Sequence, residues 1–322
     1  MLLDSIYVLA GLALLAYAGD KLIDFSVAIA VKARLTPAVI GLTIVSAGTS
    51  APELFVSATA ALKGSPDIAL ANVVGSNIAN VALVLGACAV IAAVPINRSI
   101  FRLEYPFMIL ASWIALLLCR DLVLDRLESG FFFVSLVAFV AYAVWLARQE
   151  VSEQEARALG EPVAAEPETL LRRPGWVLML GLAASLAGLG IGARVLVVGA
   201  VHIAEALGIS ERVIGLTIVA IGTSLPELVA TTAAALKKQH EMAVTNIVGS
   251  NIFNILLILG VTGLIQPIPV NPTLVALDMW VMLAISLLLL PLVIRDATLS
   301  RRDGLFFLAA WGAYMAFVAA GG

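Results

Sequence analysis

Two glutamates in the middle of apolar segments are the residues of this chain best suited to chemistry. Glu53 closes the motif Gly-Thr-Ser-Ala-Pro-Glu at residues 48–53, and Glu227 closes Gly-Thr-Ser-Leu-Pro-Glu at residues 222–227. The proline before each glutamate cannot donate a backbone hydrogen bond, so it releases the carbonyl oxygen four residues earlier and opens the helix. A carboxylate beside free carbonyl and hydroxyl oxygens is a set of hard ligands, which indicates cation binding.

The apolar segment after each glutamate adds further oxygen ligands. These are Ser76, Asn77 and Asn80 in the first copy, and Ser250, Asn251 and Asn254 in the second. Asn77 and Asn80 are three residues apart, so they share a helix face that we expect to look toward Glu53. With no Cys or His nearby, this set suits Ca²⁺ or Na⁺ rather than zinc, copper or iron. The alternative is that the hydroxyls and Asn77 only join neighbouring helices.

Both motifs lie in a duplicated segment. Residues 40–86 and 214–260 align without a gap at an offset of 174 and agree at 27 of 47 positions. A single motif of this kind would be compatible with a packing kink between helices. Two copies, however, keep a carboxylate at the same depth, where a charge costs about 2.5–3.5 kcal/mol on insertion scales. We therefore expect both glutamates to bind ions.

The composition indicates that the elements holding these residues are membrane helices. Of 322 residues, 61% are hydrophobic and 13% charged, with a mean hydropathy of +1.05, which is far more apolar than a soluble domain. The net charge of −3 comes without long charged runs, which argues against nucleic acid as a partner. Cys88 and Cys119 lie in apolar runs, so neither a disulfide framework nor a cysteine metal site is expected.

We predict an all-α polytopic membrane protein of ten transmembrane helices. A bilayer span needs about 20 apolar residues. The predicted spans lie near residues 5–30, 38–62, 68–94, 104–120, 129–147, 176–203, 213–236, 242–266, 273–294 and 303–320. Five spans per half is an odd number, so the second half must enter the membrane from the opposite side. The prediction is an inverted pair of five-helix halves with a transport site where they meet.

This plan divides the chain into an N-terminal half, 1–147, a polar linker, 148–175, and a C-terminal half, 176–322. Thirteen Lys and Arg residues fall on the linker's side of the membrane and four on the other. Short cytoplasmic loops carry the excess of basic residues. We therefore expect a multi-pass protein of the cell (inner) membrane with a cytoplasmic linker and both termini outside.

Other charged residues within or near the predicted spans do not repeat the same group at equivalent positions of the two halves. For these residues we expect local pairing or snorkelling rather than ion binding. They are Asp20, Lys21, Asp24, Arg194, Glu205 and Asp278.

The paired Gly-Thr-Ser-x-Pro-Glu and Gly-Ser-Asn motifs resemble the alpha-repeats of the sodium/calcium exchanger family, within the calcium/cation antiporters. The similarity covers both repeats and the ten-helix plan, and the short linker is similar to that of minimal prokaryotic members. The resemblance implies that Glu53 and Glu227 bind Ca²⁺ together with the backbone carbonyls of Thr49 and Thr223. It also implies a set of residues that help to form flanking Na⁺ sites, with Ser46 matching Ala220: Ser50, Ser224, Ser76, Ser250 and the carbonyl of Ala220. Asn80 and Asn254 match a polar pair that borders the central site.

One departure concerns Asn254, where some members of the family have aspartate. Both copies carry asparagine here, so potassium co-transport lacks its expected acidic partner. The proton-coupled exchangers usually carry a different repeat motif, built around Gly-Asn and Glu-His, which is absent from this chain.

The predicted function is a secondary antiporter that exchanges Ca²⁺ for Na⁺ by alternating access, with no cofactor, no enzymatic activity and no obligate protein partner. Two alternatives stay open: coupling to H⁺ instead of Na⁺, and a cation channel, since carboxylates and carbonyls also form filters. An intramembrane enzyme is disfavoured because no His or Lys lies near Ser50 or Ser224 in the motifs to activate them.

Overall fold

The computed structural model describes residues 2–150, 168–208 and 220–320. Predictions for residues 151–167 of the linker and for residues 213–219 of the seventh span lie outside the described residues. The described chain is mostly helical, as predicted. Its helices are α1 (Leu2–Ala33), α2 (Pro37–Thr49), α3 (Ala51–Leu62), α4 (Asp67–Ile91), α5 (Glu104–Leu118), α6 (Arg126–Glu150), α7 (Glu168–Leu171), α8 (Gly175–Ala206), α9 (Ala220–Thr223), α10 (Leu225–Leu236), α11 (His240–Ile265), α12 (Met279–Asp296) and α13 (Arg301–Ala319).

Local sequence signals explain where several helices begin and end. The Thr36 side chain accepts a hydrogen bond from the backbone N–H of Val39 at the start of α2, where proline is the first helical residue. Ser300 and Asp303 form a reciprocal capping box at the start of α13. Helix α3 ends just before Gly64, whose φ of 84° is readily adopted only by glycine.

Six helices of the described chain are long and apolar enough to cross a bilayer: α1, α4, α6, α8, α11 and α12. Helices α2 and α3 are bent by 41° relative to each other and together would make one further, broken span. Helices α5, α10 and α13 coincide with predicted spans but are shorter or less apolar. The protein is therefore a multi-pass membrane protein, and the count of ten spans stays a prediction.

Helices α4 and α11 form the centre of the structure. In an 18-residue apolar stretch of each helix, 72% of the residues of α4 and 83% of those of α11 are buried, against 22% for α1 and 28% for α6. Each central helix also contains a π-helical turn, at Asn80–Leu85 in α4 and Asn254–Ile258 in α11. Such turns insert an extra residue and frequently mark functional sites. Both begin at an asparagine, Asn80 or Asn254, that is predicted to border the cation site.

The two longest helices, α1 and α8, pack against each other in antiparallel directions. Gly199, late in α8, contacts Asp4 at the start of α1, whereas Gly192 contacts Leu15 and Gly11 further along. A Cβ atom at Gly11 would lie 2.7 Å from the backbone nitrogen of Leu196. Glycine is therefore required there, because it lets the two backbones approach closely.

Four two-residue strands depart from the all-helical prediction. Strand β1 (Val94–Pro95), after α4, pairs antiparallel with β4 (Thr298–Leu299), after α12. Strand β2 (Val123–Leu124), after α5, pairs antiparallel with β3 (Ile268–Pro269), after α11. Each pair joins a loop of the first half to a loop of the second. Segments this short have no periodic sequence signal, which is why the pattern of apolar residues did not predict them.

Candidate cation-binding site

Glu53 and Glu227 occupy equivalent places in two broken helices. Each is the third residue of its helix, Glu53 in α3 and Glu227 in α10. A serine directly before that helix separates it from the preceding helix, α2 or α9. Only 2% of Glu53 and 1% of Glu227 is exposed. The predicted interruption before each glutamate is therefore present, and it carries both carboxyl groups into the interior of the protein.

The two carboxyl groups are close enough to interact electrostatically. The Thr49 hydroxyl also lies within hydrogen-bonding reach of the Glu227 carboxyl group. Within the described residues, the Oε2 atoms of both glutamates are buried without a hydrogen-bond partner. Buried carboxyl groups whose oxygens lack a donor must either take up a proton or bind a cation. The two halves thus bring their acids together in the arrangement expected for binding a cation.

Hydroxyl groups from both halves surround the acids. The Thr49 hydroxyl lies 3.4 Å from the Ser250 hydroxyl and 3.4 Å from the Ser46 carbonyl oxygen. Ser50 is fully buried, and its hydroxyl has no hydrogen-bond partner among the described residues. Ser224 and Ser250 are buried as well. Thr49 and Ser250, predicted from different repeats, are therefore in direct contact.

The asparagines of α4 and α11 form a reciprocal network. The side-chain amide of Asn80 donates to Asn251 Oδ1 at 3.0 Å, and that of Asn254 donates to Asn77 Oδ1, also at 3.0 Å. Asn77 and Asn251 in turn donate to each other's backbone carbonyl oxygen. Asn77 and Asn251 therefore do join α4 to α11. Asn254 Oδ1 stays buried and unpartnered within the described chain, so it can still serve as a ligand.

A second matched pair of contacts fixes each glutamate helix to the helix that follows it. Asn72 donates to the Ser57 hydroxyl at 3.0 Å, and Asn246 donates to the Thr231 hydroxyl at 3.0 Å. Asn72 also donates to the backbone carbonyl of Glu53. These contacts were not predicted from the sequence. The signal was present, because each partner recurs as a polar residue at the offset of 174.

The two halves differ at Ser46, whose counterpart is Ala220. The Ser46 hydroxyl lies 2.7 Å from the Gly41 carbonyl oxygen and 2.9 Å from the Asn246 carbonyl oxygen. It therefore ties α2 to α11. Ala220 begins the short helix α9 and has no hydroxyl to make this contact, and its predicted contribution is the backbone carbonyl alone.

Access to the site differs between its two sides. A cavity of about 240 Å³ is lined by Asn72, Ser76, Thr223 and Ser224. On the other side, the equivalent face of α11 is closed, because Gly249 packs against Ser46 and the Leu42 carbonyl oxygen. Predicted site residues Ser76, Thr223 and Ser224 thus line this cavity, whereas Ser50 and Ser250 do not.

Most of the charged residues set aside in the sequence do pair locally. Lys237, at the end of α10, lies 2.7 Å from Asp20 Oδ1 and 2.5 Å from Asp24 Oδ1 in α1. Lys21 lies 3.2 Å from Asp20 and 3.0 Å from Asp24. This α1–α10 ion cluster (Asp20, Lys21, Asp24 and Lys237) joins the long helix α1 to the helix that carries Glu227.

Comparison with known proteins identifies what the chain is similar to. Residues 4–149 and 177–320 match the protein family described as "Sodium/calcium exchanger protein". The chain is 36% identical to inner membrane protein YrbG of Escherichia coli, over 89% of this chain and 88% of that protein. It is 31% identical to sodium/calcium exchanger MaX1 of Methanosarcina acetivorans, over 97% of both chains. The solved structure of the sodium-calcium exchanger NCX_Mj, soaked without Na⁺ and Ca²⁺, superposes with a TM-score of 0.82 at 31% identity, covering 98% of this chain and 99% of the other.

Proposed function

Because the chain belongs to the sodium/calcium exchanger protein family, a family of membrane cation antiporters, we propose that it exchanges Ca²⁺ for Na⁺ by alternating access. The observation that carries this proposal is that the carboxyl groups of Glu53 and Glu227 lie close enough to interact. Both are buried, they interact electrostatically, and each keeps an unpartnered oxygen. Oxygen ligands of this kind favour Ca²⁺ and Na⁺ over softer metals.

In this proposal Ca²⁺ is bound by the Glu53 and Glu227 carboxylates and by the backbone carbonyls of Thr49 and Thr223. Na⁺ binds at flanking positions that share these ligands. The flanking ligands are Ser50, Ser224, Ser76, Ser250 and the carbonyl of Ala220, and Asn80 and Asn254 border the central position. The contact between Thr49 and Ser250 supports ligands shared between the two halves.

Charge compensation explains why such a site exchanges ions rather than leaking them. One Ca²⁺ neutralises two carboxylates, two or more Na⁺ give a comparable neutralisation, and the overlapping ligands prevent full occupancy by both. A compensated site can change its exposure, whereas two bare carboxylates at membrane depth are held back by their desolvation cost. In this scheme the movements of the two ions are coupled because the empty site does not change its exposure from one side of the membrane to the other.

The proposed architecture is ten spans in two inverted halves, 1–147 and 176–322, around a cytoplasmic linker at 148–175, with both termini outside. The reciprocal contacts at the offset of 174, such as Asn72 to Ser57 and Asn246 to Thr231, support an internal two-fold relation. The antiparallel packing of α1 against α8 supports opposite orientations of the halves. We propose that these two long helices slide against the bundle to change access.

The test is ⁴⁵Ca²⁺ uptake by proteoliposomes loaded with Na⁺ and diluted into Na⁺-free medium. The expected result is uptake that depends on internal Na⁺ and is lost in Glu53→Gln and Glu227→Gln. Glu205→Gln, an exposed glutamate of α8, is the matched control and should transport normally. Uptake driven only by a pH gradient would replace Na⁺ by H⁺ in the proposal. Uptake without any counter-ion would indicate a channel, and wild-type behaviour of both glutamine variants would refute the site.

A further inference from the structure

A third buried carboxylate lies beside the cavity that leads to the candidate site. Asp278 is 9% exposed and ends the π-helical turn Leu274–Asp278, just before α12. Its Oδ1 accepts a hydrogen bond from the Tyr314 hydroxyl at 2.8 Å. Local pairing was predicted for Asp278 and is confirmed, but the partner is a neutral hydroxyl. In the described chain, this tyrosine is the one polar partner recorded for Asp278.

Tyr314 connects this carboxylate to the cavity. Trp311, Tyr314, Met315 and Val318 follow the spacing of one helix face, and all four line the cavity opposite Ser76, Thr223 and Ser224. The wall of α13 therefore consists of apolar and aromatic surface with one hydroxyl. This hydroxyl belongs to Tyr314, which is hydrogen-bonded to Asp278. A carboxylate therefore lies directly behind this wall of the cavity.

Position 278 also has a counterpart in the first half. The residue 174 positions earlier is Glu104, another carboxylate, in the first turn of α5. The prediction that Asp278 has no chemically equivalent residue in the other half is therefore wrong. Tyr314 corresponds to Val140, so the hydroxyl partner is found in the second half only. The Asp278 and Tyr314 pair is therefore special to the side on which the cavity lies.

An acid at this position costs free energy unless a cation offsets it. A negative charge near a narrow cavity with low-dielectric walls concentrates cations there. We propose that Asp278 is an affinity-determining carboxylate, which attracts cations into this cavity and lowers the concentration needed to fill the candidate site from that side of the membrane. The inference rests on the proposed function, and it adds a third acid to the two that bind the ion.

The sharpest test removes the charge and keeps the shape. Asp278→Asn retains an oxygen that can accept from Tyr314, so the expected change is electrostatic. In right-side-out and inverted membrane vesicles, the half-saturating Ca²⁺ concentration should rise about tenfold on the cavity side only, with an unchanged maximal rate. Because the interaction scales with the ion's charge, the corresponding shift for Na⁺ should be about threefold. Asp278→Glu, which keeps the charge, should stay within about twofold of wild type.

The control is Asp121→Asn, an exposed aspartate before β2, which lies on the same side of the membrane as β3 and Asp278. It should leave both half-saturating concentrations unchanged. Equal shifts on both sides, a fall in maximal rate alone, or an equal effect of Asp121→Asn would overturn the inference.

Calorimetric titration of Ca²⁺ into the purified protein separates this inference from the proposed function. If wild type binds Ca²⁺ without exchanging it, the proposed function fails, and a roughly tenfold weaker affinity of Asp278→Asn still supports the role of Asp278. Unchanged affinity of Asp278→Asn in that titration refutes the role. If wild type binds no Ca²⁺ at all, both proposals fall.

Discussion

Asn77 and Asn251 donate their side-chain amides to each other's backbone carbonyl oxygen, at 3.3 and 3.5 Å. The bonds run in both directions between α4 and α11, the two most buried helices, and the contacts from Asn80 and Asn254 close the network. Polar groups buried this deeply must be hydrogen-bonded, because water cannot replace a lost partner. The network therefore joins the two halves through α4 and α11.

Removing one member of this network should destabilise the protein. Asn77→Ala deletes one donor and leaves the Asn254 amide without its acceptor, which should reduce the free energy of unfolding by about 1–3 kcal/mol. Asn251→Ala should cost a similar amount, because its contacts are equivalent. Combining Asn77→Ala with Asn254→Ala should cost less than the sum of these two single changes, because both remove the same hydrogen bond from the Asn254 amide to Asn77 Oδ1. Thermal unfolding in detergent measures each single variant and the double variant, and strict additivity would contradict a shared network.

Bound Ca²⁺ should stabilise the fold through the two glutamates. At a concentration one hundred times the dissociation constant, a ligand specific for the native state adds about 2.7 kcal/mol. We expect Ca²⁺ to raise the Tm of wild type and of Glu205→Gln. Glu53→Gln and Glu227→Gln should show no such rise, and their Tm without Ca²⁺ should exceed that of wild type because a buried like charge is gone. A Ca²⁺-dependent rise in both variants would place the ion elsewhere.

Two equivalent glycines should respond differently to the same substitution. A Cβ atom at Gly249 would lie 2.6 Å from the Leu42 carbonyl oxygen and would also clash with Ser46. Gly249→Ala should therefore separate α2 from α11 and cost about 1–3 kcal/mol. At Gly75, no atom of the described residues lies within 4 Å of the added methyl group. Gly75→Ala should unfold like wild type, and equal losses for the two variants would argue against the difference in packing.

The α1–α10 ion cluster offers a fourth test. Lys237→Gln leaves Asp20 and Asp24 with Lys21 as their remaining cation, which should reduce the free energy of unfolding by about 1 kcal/mol. The exposed Lys63 is the counterpart of Lys237 at the offset of 174. Lys63→Gln should change stability by less than about 0.5 kcal/mol. High salt should narrow the difference between the variants, because the cluster is partly exposed and screened.

Sequence alone predicted the chemistry of each half better than the contacts between them. Glu53 and Glu227 stood out because a costly group recurred in equivalent motifs, and both are buried as that cost requires. The pairing of Lys237 with Asp20 joins residues far apart in the chain, and no local pattern indicates such a partner. The different surroundings of Gly75 and Gly249 arise from packing between the halves, which two identical motifs cannot reveal.

Helix geometry marks another limit. The π-helical turns at Asn80–Leu85 and Asn254–Ile258 follow ordinary apolar sequences. An extra residue in a helical turn is compatible with many such sequences and is selected by packing around it. The sequence therefore predicted helices in these places, but it did not predict the π-helical turns that begin at the two asparagines.

The hydroxyl of Ser46, whose counterpart at Ala220 is a methyl group, makes the two halves chemically unequal at this position. Two identical copies of the first half would place a serine in both positions, and two copies of the second half would lose the tie to Asn246 altogether. The two halves are therefore not interchangeable, because only the first carries the hydroxyl that ties α2 to α11.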